Sequence, residues 1–99
     1  MKVVLAEAVK ADLIEIAEYI RPDNPARAAS FVDELLDRCD ALGDAPLAYP
    51  LVPRYERHGI RRAVHRDYLI FYRVREDRVE VIHILHGARD YEAGLLGEW

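Results

Sequence analysis

The sequence predicts an α+β fold in which a short strand and a hairpin of two helices precede a mainly antiparallel sheet (β-α-α-β-β-β). Two observations predict it. Residues 60–90 hold three runs of β-branched and aromatic residues separated by short polar breaks, and residues 7–42 carry apolar side chains at helical spacing. The 99 residues are interpreted as one domain, 1–99, which is long enough to bury a core but gains from a partner that adds buried area.

Three consecutive strands are predicted over residues 60–66, 68–75 and 78–86. The gaps between them are so short that only hairpins fit, and neighbouring strands therefore run antiparallel. The second run is apolar on both alternating faces, which is typical of a central strand covered on both sides. The first run is interrupted by arginines and is predicted to be an edge strand that charge protects from aggregation.

The segment before the sheet begins with residues 2–5, a β-prone run that is expected to join the sheet as a further strand. From Glu7 the period changes to that of a helix. Pro22 ends this first helix near Tyr19 or Ile20, because the residue before a proline disfavours the α region. The apolar stripe of the helix is Val9, Leu13, Ile16 and Ile20, with Ala17 beside it.

The second helix has its own start and stop signals. Asn24 is the predicted N-cap, Pro25 occupies the first helical position, and Gly43 is predicted to stop the helix in the left-handed conformation. Residues 44–59 contain three prolines and are expected to form a stiff connection. The two helices should pair as an antiparallel hairpin on one sheet face, with a buried stripe of Ala28, Phe31, Leu35, Cys39 and Leu42.

Charge is distributed unevenly along the chain. Residues 1–50 hold five basic against ten acidic residues, whereas residues 54–75 hold seven arginines against two acidic residues. All basic residues of this run are arginines, which is typical of surfaces that recognise phosphate or carboxylate groups. A charged edge strand also serves simply to prevent aggregation, and the composition favours neither interpretation over the other.

Several classes of protein are not indicated. No apolar run approaches eighteen residues, no signal-peptide pattern occurs, and Cys39 is the only cysteine, so the sequence predicts a cytoplasmic protein with no membrane contact and no disulfide. His83 and His86 lie three apart on a predicted strand and point to opposite faces, and no phosphate loop or nucleophile motif occurs. No metal, no cofactor and no sequence-specific binding of nucleic acid are expected.

The order of a leading strand, a helical hairpin, a proline-bearing loop and the run RRAVHRDYLIFYRVREDRVEVIHILHGARD resembles the RelE/ParE superfamily of toxins from bacterial type II toxin–antitoxin modules. The resemblance covers nearly the whole chain, and the segments YLIFYRV and HGARD are similar to the ParE branch. It implies a RelE/ParE-like fold, a cognate ParD-like antitoxin whose extended tail wraps the toxin, a role in plasmid stabilisation, and growth arrest through inhibition of DNA gyrase without an enzymatic reaction.

The RelE branch of the superfamily instead cleaves messenger RNA in the ribosome. Its arginine after the last strand is matched by Arg89, but the arginine of its middle strand corresponds to Leu69, and its tyrosine falls near Leu95. Cleavage of RNA needs convergent cations and an acid or base, and two residues of the RelE set are missing here. Inhibition of gyrase therefore ranks first. The ribonuclease, which would use Arg89, Tyr91 and Arg62, ranks second. A non-catalytic binding module of the same fold is the third interpretation.

Two sets of site residues follow from these expectations. The target-binding residues are placed in the basic run, the exit from the last strand and the tail: Arg61, Arg62, Arg66, Arg89 and Trp99. The antitoxin is expected to add a strand at the edge formed by residues 60–66, with an acidic segment there, and to lay an amphipathic helix along the hairpin. The residues expected to contact it in this hetero-oligomer are Leu13, Ile14, Ala17, Ile20, Arg61 and Arg62.

Overall fold

The structure, a computed structural model, describes residues 1–88 of the chain. Its elements follow in the order β1 (Lys2–Leu5), α1 (Glu7–Ile20), α2 (Pro25–Ala41), a short 3-10 helix (Glu56–His58), β2 (Ile60–His65), β3 (Tyr68–Val74) and β4 (Arg78–His86). This order confirms the predicted β-α-α-β-β-β architecture. Within the described part of the chain, neither helix is long and apolar enough to cross a membrane.

The four strands form one sheet in the order β1-β4-β3-β2. Strand β3 pairs antiparallel with β2 on one side and with β4 on the other, which confirms the predicted meander. Strand β1 lies parallel to β4, with Val3 opposite Val79. A parallel partner requires a long connection, and the helical hairpin, β2 and β3 all lie in the chain between β1 and β4. The predicted joining of residues 2–5 to the sheet is therefore confirmed, and the sheet is mixed.

Apolar side chains cover β3 on both faces. On one face, Ile70 and Tyr72 are buried against the hairpin in a cluster that includes Phe31 and Leu35 of α2, which we call the helix-side core. On the other face, Phe71 and its neighbours meet Val52 and Tyr55 of the connection in a second cluster, the loop-side core. The predicted coverage of the central strand on both faces is confirmed. Full burial of one such large side chain contributes roughly 1.5–3 kcal/mol to folding.

The predicted left-handed stop at Gly43 is wrong. Helix α2 ends through Leu42 in the right-handed region (φ −62°), and Gly59 is the glycine with positive φ among residues 1–88. Gly43 is required for space instead. An ideal Cβ built on it would lie 2.2 Å from the carbonyl oxygen of Met1, while the amino group of Met1 donates to the Gly43 carbonyl at 2.8 Å. The backbone of Met1 passes so close to Gly43 that no side chain fits at position 43.

The edge strand is less open than the sequence predicted. Strand β2 does lie at the sheet edge, but the Val52 amide donates to the Ile60 carbonyl at 2.8 Å and the Arg62 amide donates to the Pro50 carbonyl at 3.2 Å. Nη2 of Arg38 donates a hydrogen bond to the Val64 carbonyl oxygen at 2.9 Å. The proline-bearing connection folds back along β2, and the expectation that this edge offers its backbone groups to a partner is corrected over that stretch.

Replacing Gly43 with Ala is expected to lower the free energy of unfolding by about 2 kcal/mol, because the new methyl group would overlap the backbone of Met1. Gly87→Ala is the matched control. Its ideal Cβ comes no closer than 3.3 Å to the Asp67 carbonyl, so its cost should be clearly smaller. Denaturant unfolding of both variants measures the difference, and equal costs would contradict the spatial role of Gly43.

Candidate interaction surfaces

Helix α1 presents few apolar side chains to solvent. Val9 and Ile16 are buried, and Leu13 and Ile20 pack against the helix-side core. Ala17 is half-buried. Ile14 and Tyr19, by contrast, are 59% and 79% exposed. Of the residues expected to contact an antitoxin along this helix, the structure therefore places Ile14 on the surface and uses Leu13 and Ile20 mainly inside the protein.

Asp12 anchors α1 to the middle of β4. Its Oδ2 atom accepts hydrogen bonds from the backbone amide of Ile84 and from Nδ1 of His83, both at 2.9 Å. The register of β4 shifts at this point, opposite Phe71 and Tyr72. Because a carboxylate that accepts two donors is well satisfied even when little exposed, this contact fixes the helix relative to the sheet.

Glu34 anchors α2 to β2 in the same manner. Its carboxylate accepts from Arg27, and its Oε1 lies 2.9 Å from Nε2 of His65 and 4.0 Å from Nε of Arg66. The hydrogen bond from Arg27, followed by that from His65, lowers the pKa of Glu34 to about 2. The Arg27 guanidinium also lies over the Phe31 ring, 4.9 Å from its centre. This cluster joins the acidic hairpin to the basic strand.

The structure does not bring the three arginines of the basic run onto one face. Arg61 pairs with Tyr72 in the ladder and Arg62 with Phe71, so their side chains start on opposite sides of the sheet. The Arg61 guanidinium donates to the Tyr49 carbonyl at 2.6 Å, and Arg66 occupies the following turn with a positive φ of 55°. Arg61 therefore belongs to the packing of the connection, while Arg62 lies on the face away from the helices.

A second arginine cluster lies at the other end of the sheet. Glu80 stands between Val79 and Val81, whose side chains enter the helix-side core, so Glu80 points to the opposite face. Its carboxylate accepts from three guanidinium groups at 2.8–3.3 Å, those of Arg73, Arg75 and Arg78. These hydrogen bonds, chiefly that from Arg73, outweigh burial and lower the pKa of Glu80 to about 2. Sequence spacing gave no sign of this cluster beyond the local excess of arginine.

Some predicted site residues have other positions. Arg89, Tyr91 and Trp99 lie outside the described residues. Cys39 is buried in the helix-side core, and burial, followed by the nearby Asp40, raises the pKa of its thiol to about 12. A thiol with that pKa is protonated at neutral pH, which fits the predicted place of Cys39 in the buried stripe of α2.

Comparisons with known proteins identify the family. The family described as "ParE toxin of type II toxin-antitoxin system, parDE" matches residues 3–91. The chain belongs to the ParE toxin family. Among solved structures, a chain described as "Chromosomal ParDE TA system from P. aeruginosa" is similar, with a TM-score of 0.73 and 19% identity, covering 87% of this chain and 95% of that one. At this identity the likeness shows the fold. A search of curated proteins gave no match.

Membership of the ParE family confirms the resemblance found in the sequence and the RelE/ParE-like fold. A ParE toxin belongs to a system that includes an antitoxin. The uneven distribution of charge over the surface is therefore relevant to the binding of a partner protein. The hairpin of this ParE chain is acidic and has three large exposed apolar side chains, Ile14, Tyr19 and Leu36. The sheet face away from the hairpin carries arginines. The toxin thus offers two surfaces of unlike chemistry.

Replacing Glu80 with Gln should lower the free energy of unfolding by about 1–3 kcal/mol at pH 7, because three guanidinium groups lose their shared charged acceptor. The pKa of Glu80 is depressed from 4.5 to about 2. Its contribution is therefore complete above about pH 4.5 and is lost as the pH falls toward 2.

The difference between Glu80→Gln and the unmodified chain is consequently expected to shrink as the pH is lowered from about 5 to about 2. Glu76→Gln is the matched control, because Glu76 is an exposed carboxylate in the neighbouring turn. Urea unfolding at several pH values measures both. A Glu80 effect that stays constant over this range would show that the carboxylate is not held in its charged form by the arginines.

Proposed function

We propose that this ParE-family chain is a toxin that inhibits DNA gyrase and that a cognate ParD-like antitoxin neutralises it by direct binding. The observation that carries the proposal is the match of the ParE toxin family to residues 3–91. The proposed complex is a hetero-oligomer of toxin and antitoxin, and a gyrase target implies a cytoplasmic site of action. The surfaces described above support the following division of the two proposed partners over the molecule.

The hairpin is the proposed docking surface for an antitoxin helix. Ile14 is an apolar side chain, 59% exposed, on a helix whose other exposed positions are largely charged. A large exposed apolar side chain in such surroundings favours a partner that buries it. An amphipathic helix laid along α1 would cover Ile14 and extend the half-buried row of Leu13, Ala17 and Ile20.

A strand of the antitoxin is proposed to pair with β1. The outer edge of β2 is already occupied by residues 50–52, whereas β1 is the terminal strand on the other side and has no strand beyond it among residues 1–88. Because alternate residues of a strand point their amide and carbonyl groups outward, Val3 and Leu5 offer donors and acceptors there. Edge pairing supplies affinity through the main chain, and the helix contact supplies specificity.

The basic run of β2 with the turn that follows it, together with the tail of the chain, is the proposed contact for gyrase. The proposed residues are those of the basic run and the tail: Arg61, Arg62, Arg66, Arg89 and Trp99. Of these, Arg62 lies on the face away from the hairpin, and Arg66 lies in the turn after β2. Leu69, at the position where the RelE branch has an arginine, packs against the loop-side core. An apolar residue there supports inhibition by binding rather than cleavage of RNA.

Production of the toxin without its antitoxin should arrest growth with filamentation and a DNA-damage response, and the purified protein should inhibit supercoiling by gyrase. Supercoiling assays with increasing toxin concentration measure this directly. Intact supercoiling at concentrations far above those that stop growth would remove gyrase from the proposal. Specific cuts in ribosome-bound messenger RNA would instead point to the RelE-type activity.

Ile14→Asp should accelerate dissociation of the antitoxin about tenfold while changing the association rate little, because a charge would be buried against an apolar partner. The matched control is Leu47→Asp, which introduces the same charge at an apolar side chain that is 66% exposed but lies in the connection after α2. Binding kinetics with the co-purified antitoxin measure both variants. Equal dissociation rates for the two would exclude α1 as the docking surface.

A further inference from the structure

A cavity of about 330 Å³ opens between α1 and the end of β4. One side is formed by residues of a single face of α1, spaced by three and four, and the other by the start of β3 and the last residues of β4. Ile16, Ile84 and Leu85 supply apolar surface. The polar groups that line it are the carboxylates of Asp12 and Glu15, the phenols of Tyr19 and Tyr68, and the imidazole of His86.

Two of the residues that line the cavity, Tyr68 and Asp12, are held in place by contacts to the sheet and to α2. Tyr68 stands between the Phe31 ring at 5.4 Å and the His86 ring at 5.2 Å, in tilted and edge-on arrangements that such rings favour. Asp12 is fixed by the Ile84 amide and by His83. The prior ordering of these two side chains reduces the conformational entropy that is lost when the site is filled.

The electrostatic character of the cavity is negative. Among the residues of 1–88 that line it there is no lysine or arginine, whereas two of them, Asp12 and Glu15, are carboxylates. Burial, followed by the neighbouring Tyr19, Asp67 and Glu15, raises the pKa of Tyr68, so the anionic groups around this phenol oppose a further negative charge. Tyrosine faces also attract cations, most strongly where water is partly excluded. Charge and shape together favour a cationic group with an apolar stem.

We propose that this cavity binds an arginine side chain of a protein partner, with the guanidinium between Tyr19 and Tyr68 and directed at Glu15, and the methylene stem along Ile16. Arginine suits the site because its planar group stacks on aromatic faces and pairs with a carboxylate through two donors. The identity of the partner as the antitoxin rests on the proposed function. The binding site itself is independent of it.

The cavity can be tested with a small probe. N-acetyl-L-argininamide, titrated into the full-length protein and followed by NMR of the tyrosine rings, should shift the resonances of Tyr19 and Tyr68 with a dissociation constant on the order of 1 mM, as expected for a single side chain. The citrulline analogue has nearly the same shape without the charge and should bind at least about tenfold more weakly.

Two variants complete the test. Glu15→Gln should weaken binding of the argininamide about threefold, whereas Glu18→Gln, on the same helix but outside the cavity, should leave it unchanged. Equal binding of the two probes, or an unaltered affinity in Glu15→Gln, would overturn the proposal. Tighter probe binding in Arg89→Gln would also overturn it, because the chain's own Arg89 would then compete for the site.

Failure of this test and failure of the proposed function can be told apart. Antitoxin binding is measured separately, through the complex with the co-purified antitoxin. An antitoxin that binds normally while the argininamide does not would leave neutralisation in place and remove the arginine site. Competition between the argininamide and the antitoxin, relieved in Glu15→Gln, would assign the arginine to the antitoxin.

Discussion

The burial of β3 on both faces is the constraint on which the rest of the fold depends. Ile70, Phe71 and Tyr72 are fully buried in succession, so the strand needs one cover for each side. The hairpin supplies one and the proline-bearing connection supplies the other. Each buried side chain contributes roughly 1.5–3 kcal/mol, more than an exposed ion pair, which contributes about 0–1 kcal/mol. Apolar packing therefore holds the layers together, and the charged groups at their borders fix the relative positions.

Asp12 shows how a charged group at a border shapes a surface. Strand β1 accompanies β4 only as far as Val81, where the Ala6 amide makes the last backbone contact at 2.9 Å. The chain then turns into α1, which leaves the following edge of β4 without a strand, and Asp12 accepts from the Ile84 amide in its place. The cavity lined by Tyr19 and Tyr68 lies between α1 and this end of β4.

Local patterns predicted the elements of the fold, and contacts between distant residues decided what could not be predicted. Alternating apolar residues defined the meander and the stripes defined both helices, because these periods depend only on neighbours in sequence. Gly43 was misinterpreted because a glycine after a helix serves either as a left-handed stop or as space for a close approach, here by Met1. The pairing of residues 50–52 with β2 was not predicted, because the prolines of the connection argued against a strand there. The hydrogen bond between Asp12 and His83 was not predicted, because it joins residues 71 apart in sequence.

The division of charge over the two faces bears on how neutralisation would work under the proposed function. Transmission of a conformational change from one face to the other would require an element with two alternative arrangements, whereas steric cover requires none. Steric cover of the target surface by the antitoxin is the simpler route. The hairpin and the basic strand β2 are in contact with each other, so an antitoxin on the hairpin lies near this strand. Glu34 of α2 lies beside Arg66, and Arg38 of α2 donates to the Val64 carbonyl of β2. An antitoxin that extends past the edge of the hairpin at this point reaches the basic strand directly, so it can block the target surface without altering the fold.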